Sequence, residues 1–411
     1  MRCAPLDLYC NRAMFEHIDA YPGDPILTLN EQFQADPRAH KVNLGIGIYF
    51  DDAGRLPVMA AVRQAETALL QQLGPKPYQP MSGAANYRQA VQHLLFGAQH
   101  EAVISGRIAT IQTLGGSGAL KIGADFLKRF FGNASVWVSD PTWDNHRAMF
   151  EGAGIPVHTY PYYDAASGGL RFDAMLDTLQ ALPAKSIVLL HACCHNPTGV
   201  DLSVAQWGQL IAVVRERGLI PFLDMAYQGF GDGLTQDSQA LRALADAGVS
   251  FLVANSFSKN FSIYGERCGG LSVVCPNRGE ADRVLGQLIA CVRRNYSSPP
   301  IHGGQIVARV LQDPELHNLW ADELGAMRVR IQSMRERLHE VLSARLPGRD
   351  LRYFVAQRGM FSYTGLTAEQ AECLRVEHGV YVLRSGRMCV AGLNSGNIEA
   401  VAQALAAVLA D

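Results

Sequence analysis

The sequence has no excess of charge of either sign. Across 411 residues, 36 Lys+Arg stand against 38 Asp+Glu, a formal net charge of −2. That balance excludes a basic field of the kind that recruits nucleic acid, and it excludes an acidic tail. Long apolar runs are also missing. The longest, such as Ser186 to Cys194, fall well short of the ~20 residues that a membrane-spanning helix needs. Cysteine is sparse: nine in 411 residues make no disulfide framework. The adjacent Cys193-Cys194 pair reads as buried strand, and a reduced, cytosolic setting is expected. Internal repeats and low-complexity tracts are absent. The first thirteen residues, Met1 to Ala13, show no apolar core and no small-residue cleavage site, which argues against a signal peptide. They are expected to be an extension, a tag remnant or the product of an upstream start codon, with the native start at Met14.

What is present is the balance of a globular protein, 48% hydrophobic and 18% charged. The length fits one large or two moderate domains. From about Gly106 the chain takes on an α/β rhythm. Apolar segments at Ile108–Leu114, Val136–Ser139, Ile187–Cys194, Leu219–Leu223, Phe251–Asn255 and Leu271–Cys275 end in turn or polar residues. Helical patterns at Ala119–Phe131, Val204–Arg217 and Gln239–Ala247 lie between several of them. Short apolar runs separated by helices predict crossover units and a mostly parallel sheet. After about Leu311 the pattern changes to a long charged helix, with Ala321–Leu346 reading as one or two pieces. A mixed segment with Tyr353, Phe354, Phe361 and Tyr363 follows, and then a last helix.

Four motifs carry chemistry, and each closes an apolar strand. Leu114-Gly115-Gly116-Ser117-Gly118 opens a helix. Free N–H groups at a helix N-terminus bind anions, and glycine lets a phosphate approach; a plain tight connection would look the same. His195-Asn196-Pro197-Thr198-Gly199 marks a turn in which Asn196 offers an amide. Asp224 ends the run Leu219–Leu223, with Tyr227 three positions on. A carboxylate there suits a protonated ring nitrogen, although a strand-end Asp also caps turns. Ser256-Phe257-Ser258-Lys259-Asn260, followed by Arg267, places two hydroxyls and a guanidinium around one lysine. The hydroxyls and the guanidinium suit a phosphate, and the amine suits a Schiff base with an aldehyde; a solvated polar turn is the plainer reading. Strand-end residues of one sheet converge on one rim. Taken jointly, a phosphate cradle, an asparagine, an acid and a lysine predict an enzyme of pyridoxal 5′-phosphate.

With these motifs on view, the chain from Met14 onward resembles the class I aminotransferases of fold type I. The resemblance is carried also by Val42-Asn43-Leu44-Gly45-Ile46-Gly47, Asp140-Pro141-Thr142-Trp143-Asp144-Asn145-His146, Arg293-Arg294-Asn295-Tyr296-Ser297 and Ser385-Gly386-Arg387-Met388. Stretches such as Ile111 to Leu120 and Gly386 to Asn394 look most like the bacterial aromatic-amino-acid (tyrosine) branch. The resemblance implies an α/β fold: a large domain with a mostly parallel seven-stranded sheet, and a smaller α/β domain from both chain ends. It places residues 14–56 in an arm and part of the small domain, 57–325 in the large domain and 326–411 in the small one.

The resemblance also implies roles. Lys259 would be the Schiff-base lysine and the acid–base of the proton shift, with a pKa low enough to act near neutrality. Asp224 would pair the pyridine nitrogen, supported by His146. Asn196 and Tyr227 would contact the ring's O3′ oxygen, Trp143 would stack on the ring, and Asn196 and Trp143 would also belong to the substrate site, Asn196 through the substrate carboxylate. Gly116, Ser117, Ser256, Ser258 and Arg267 would form the phosphate cup, joined by Tyr78 from a neighbouring subunit. Gly47 and Arg387 would hold the substrate α-carboxylate, the arginine bidentately. Arg293, lent by the neighbouring subunit, would meet a dicarboxylate side chain. A cytoplasmic homodimer is therefore expected. It would act on tyrosine, phenylalanine and aspartate with 2-oxoglutarate, with an aspartate-preferring enzyme as the alternative. Asn260 and Cys268 depart from the family pattern, in which apolar residues are expected, and neither is expected to touch the chemistry.

Two other classes fit less well. A nicotinamide dehydrogenase needs Gly-x-Gly-x-x-Gly, whereas Gly116-Ser117-Gly118 is followed by Ala119-Leu120-Lys121. A transcription regulator on the same scaffold needs a DNA-binding module, for which thirteen extra residues are too few.

Overall fold

The computed structural model describes residues 14–21, 23–72 and 74–410; the expected extension, residues 1–13, lies outside the described residues. A seven-stranded sheet runs through the middle of the molecule. Its order is Ile108–Leu114, Cys268–Val274, Phe251–Ser256, Ile220–Met225, Ile187–His191, Val136–Asp140, Val157–Pro161. Only Cys268–Val274 runs antiparallel to its neighbours. The reason is chain length. Just residues 257–267 separate it from Phe251–Ser256, too few for the dozen or more that a parallel crossover requires. Phe251–Ser256 is buried at every position, as a strand covered by helices on both faces must be.

The apolar runs read from the sequence form six of the seven strands, with shifts at their ends. Ile187–His191 stops three residues before the predicted end. Cys193 and Cys194 are buried but lie past the strand. Cys194 takes a left-handed φ of 52°, and its N–H donates to Asp201 at 2.7 Å instead of to a neighbouring strand. Cys268–Val274 begins three residues earlier than the run Leu271–Cys275. The seventh strand, Val157–Pro161, was not expected. It is an edge strand, only partly buried, and His158, Thr159 and Pro161 break any apolar run.

Helices cover both faces. Gly115–Phe130 packs so closely on the sheet that a Cβ at Gly123 would lie 2.4 Å from the Phe222 ring. Val204–Arg217 starts on a Ser203–Gln206 capping box and ends at left-handed Gly218, matching the predicted range. One helix, Pro314–Arg345, accounts for the long charged segment as a single unbroken piece that passes residue 325. The two chain ends meet in a short ladder, Val42–Asn43 with Val380–Tyr381, and beside it Phe361–Tyr363 pairs with Arg387–Cys389 within the C-terminal part. One apolar core joins the sheet to both chain ends, and a second fills the space under helices Gly115–Phe130 and Arg278–Asn295. No helix among the described residues is long and apolar enough to cross a membrane.

Candidate active site

The C-terminal ends of the parallel strands share one rim, and the short connection 257–267 returns to the same rim. Lys259 and Arg267 are thus held on a loop anchored at both ends. They line a cavity of about 190 Å³ together with Gly116, Ser117, Trp143, Asn196, Asp224, Tyr227, Ser256, Ser258 and, from the chain ends, Gly47 and Arg387.

One part of the cavity is built for an anion. Helix Gly115–Phe130 begins there with unpaired N–H groups. Gly115 has φ +67°, and a Cβ on it would lie 2.7 Å from an Arg267 nitrogen. A Cβ on Gly116 would lie 3.2 Å from that of Ser256. Side chains at these two glycines would fill the cradle. Arg267 Nη1 donates to Ser258 Oγ at 3.3 Å and to the Tyr264 carbonyl at 3.1 Å. Two hydroxyls, a guanidinium and a helix N-terminus form a donor set that suits a phosphate ester.

Another part presents a carboxylate. Asp224 is 6% exposed, and His146, fully buried, meets its Oδ2 at 3.1 Å. The other His146 nitrogen, Nδ1, meets Thr142 Oγ1 at 2.8 Å, which orients the ring. Burial opposes ionisation of Asp224. The hydrogen bond from His146 and the positive charge of Lys259 outweigh it and hold the carboxyl below its ordinary pKa. A buried carboxylate kept ionised is the partner that a protonated heterocyclic nitrogen requires.

Lys259 Nζ sits 5.2 Å from the centroid of the Tyr227 ring. Burial lowers its pKa to about 8; Asp224 pulls the other way, while Arg267 and Arg387 add to the fall. Burial raises the Tyr227 phenol, so it remains a neutral donor. Arg387, 3% exposed, donates from Nη1 to Asn196 Oδ1 at 3.3 Å and from Nη2 to the Gly45 carbonyl at 2.7 Å. Its Nε is buried without a partner. A guanidinium that lines the cavity and has donors not fully used suits a carboxylate.

Two residues implied by the resemblance lie elsewhere on this chain. Tyr78 is 96% exposed, and Arg293 is exposed with Nη1 bonded to Ser297 Oγ at 2.5 Å. Asn260 and Cys268 are buried outside the cavity lining. Asn260 Nδ2 donates to the Gln228 carbonyl, and Cys268 Sγ lies 3.4 Å from the Tyr87 hydroxyl. Sequence reasoning missed Phe361 and Ile26, which both line the cavity. Phe361 had been noted only as part of an aromatic segment, and Ile26 is an ordinary apolar residue of helix Pro25–Ala35 with no signal of its own. Thr142 lay inside a quoted motif without a role.

The family described as Aminotransferase class I and II matches residues 39–405. The chain is 58% identical to an aromatic-amino-acid aminotransferase of Escherichia coli over 397 residues, covering 96% of this chain and 100% of that protein. It is 52% identical to an aspartate aminotransferase of Pseudomonas aeruginosa, covering 97% of this chain and 100% of that protein. Among solved structures, an aromatic-amino-acid aminotransferase from Burkholderia pseudomallei, covalently bound to pyridoxal phosphate, superposes with a TM-score of 0.94. It is 52% identical, covering 96% of this chain and 99% of that one.

Proposed function

The chain belongs to the class I and II aminotransferases, and from that premise we propose that it moves amino groups between aromatic or dicarboxylic amino acids and 2-oxoglutarate, with pyridoxal 5′-phosphate as cofactor. One observation carries the reading. A single cavity joins a lysine of lowered pKa, an anion cup, a buried ionised carboxylate and the guanidinium of Arg387. The relatives named for aromatic amino acids and for aspartate support both substrate classes.

Gly116, Ser117, Ser256, Ser258 and Arg267 would hold the phosphate, and Asp224, backed by His146, the ring nitrogen. Asn196 and Tyr227 would meet the ring oxygen, and Trp143 would cover a ring face. When bound, the cofactor supplies an aldehyde that captures amines and a ring that withdraws electrons from the substrate Cα. The remaining work falls to the chain. Arg387 and the backbone at Gly47 fix the substrate α-carboxylate, and so orient the Cα–H bond. Lys259 Nζ would take the proton from the substrate Cα and deliver it to the carbon that bore the cofactor's aldehyde, the relocation that amino transfer requires. With a pKa of about 8, a useful fraction is neutral near pH 7.

Arg293 is the group for a dicarboxylate side chain, and Tyr78 a further phosphate contact. Both are exposed on this chain, so each would act on the site of a second copy in a cytoplasmic homodimer. The division into residues 14–56, 57–325 and 326–411 belongs to the same proposal. The test is spectroscopic and kinetic. Purified protein with pyridoxal phosphate should show a visible band that borohydride abolishes, leaving the label on Lys259. It should also transfer amino groups from phenylalanine and aspartate to 2-oxoglutarate. A protein that stays colourless with added cofactor would sink the reading.

A further inference from the structure

Arg335 is a charged residue that the reaction described above does not use. It lies on helix Pro314–Arg345, is 2% exposed, and has no carboxylate within ion-pairing distance among the described residues. Four oxygens take its guanidinium protons instead. Nη1 donates to the Phe354 carbonyl at 3.0 Å and to Ser362 Oγ at 2.6 Å. Nη2 donates to the Gly359 carbonyl at 2.8 Å and to the Phe361 carbonyl at 2.5 Å. Nε has no partner. Burying a cation against neutral oxygens is costly, and apolar packing would hold a helix to a loop at lower cost.

All four acceptors lie within residues 354–362, and that segment delivers Phe361 to the cavity. The Phe361 ring lies 4.4 Å from the Arg387 guanidinium carbon, and it meets Tyr227 edge-on at 5.7 Å. A Cβ on Gly47 would lie 3.0 Å from its Cζ, so any side chain at that position would crowd the ring. Phe361–Tyr363 also pairs with Arg387–Cys389 in register, Tyr363 opposite Arg387. Whatever fixes the carbonyl of Phe361 therefore fixes the surface on which Arg387 rests.

We propose that Arg335 is a positioning residue for the carboxylate site: its planar fork clamps residues 354–362 so that Phe361 holds Arg387 at the angle that receives a substrate carboxylate. The inference rests on the aminotransferase reading only in naming the carboxylate as that of an amino acid or 2-oxo acid. A lysine keeps the charge but not the fork, and cannot span four acceptors with one nitrogen.

The experiment uses holoenzyme and the variants Arg335→Lys and Ser362→Ala. KM for phenylalanine, aspartate and 2-oxoglutarate is measured, with equilibrium binding of 3-phenylpropionate, a carboxylate that cannot react. Arg335→Lys should raise all three KM values and the 3-phenylpropionate dissociation constant together, about tenfold, because Arg387 serves every carboxylate. Affinity for pyridoxal phosphate should not change. Ser362→Ala removes one acceptor of the four and should give a smaller rise in the same direction. A lower melting temperature or lower kcat with unchanged KM and unchanged 3-phenylpropionate binding would overturn the proposal and leave Arg335 a fold staple. If Arg335→Lys does not fold, unchanged binding in Ser362→Ala overturns it equally. Failure of the aminotransferase reading would appear separately, as absence of turnover in the unmodified protein.

Discussion

Lys259 offers the sharpest quantitative test, because its environment contains opposing charges that mutation removes one at a time. Its pKa falls from 10.5 to about 8, chiefly through burial. At pH 7 a lysine of pKa 8 is about 9% neutral, against about 0.03% at 10.5, roughly a 300-fold difference in nucleophile. Capture of pyridoxal phosphate by the apoenzyme should therefore be fast at neutral pH. Its rate should climb about tenfold per pH unit and level off above about 8. The assay is stopped-flow absorbance between pH 6 and 10, with Nα-acetyl-lysine run in parallel so that ionisation of the reagent cancels in the ratio. Asp224 raises the Lys259 pKa and Arg387 lowers it. Asp224→Asn should thus move the limb to lower pH, and Arg387→Leu should move it to higher pH. An inflection near 10 in the unmodified protein, or displacement of both variants in one direction, would refute the reasoning.

Other consequences follow from the same contacts. Arg293→Leu should depress activity on aspartate far more than on phenylalanine, and equal losses would remove Arg293 from the side-chain role. His146→Leu takes the hydrogen bond from a buried carboxylate, so the Asp224 pKa should rise. Apoenzyme stability should drop by about 1–3 kcal/mol in urea titrations, with weaker cofactor binding; no change in either would show that Thr142 and His146 are ornamental. Gly123→Ala gains about 1 kcal/mol of helix propensity, but it drives a methyl to 2.4 Å from the Phe222 ring. Overpacking of about 1–3 kcal/mol should win and lower the melting temperature, whereas a rise would mean that the helix lifts off the sheet freely.

Much of the site was legible before any fold was known. Gly116, Asn196, Asp224 and Lys259 each lie within four residues of the end of an apolar run, and that local punctuation survives in a single sequence. Strand Ile108–Leu114 and helix Val204–Arg217 were read to their ends, because a buried strand and a boxed, glycine-capped helix carry their boundaries in neighbouring residues. The edge strand Val157–Pro161 carried no such signal. Only Tyr160 of its five residues is buried, so it carries no continuous apolar run. Cys193-Cys194 misled because burial and strand conformation usually coincide, and here a turn anchored on Asp201 is buried as well.

The sequence by itself determined the sheet strands at the centre, the chemistry of the rim and the family, since these depend on residue type and on spacings within one supersecondary unit. Only the tertiary structure decided what lies opposite that rim. Phe361, Arg387 and Gly47 come from chain ends more than three hundred residues apart, and they meet through the ladders that join Val42–Asn43 to Val380–Tyr381 and Phe361–Tyr363 to Arg387–Cys389. Neither the unpaired Nε of Arg387 nor the acid-free burial of Arg335 could be read from composition or period. Both are properties of what surrounds a side chain, and the surroundings are set by non-local packing.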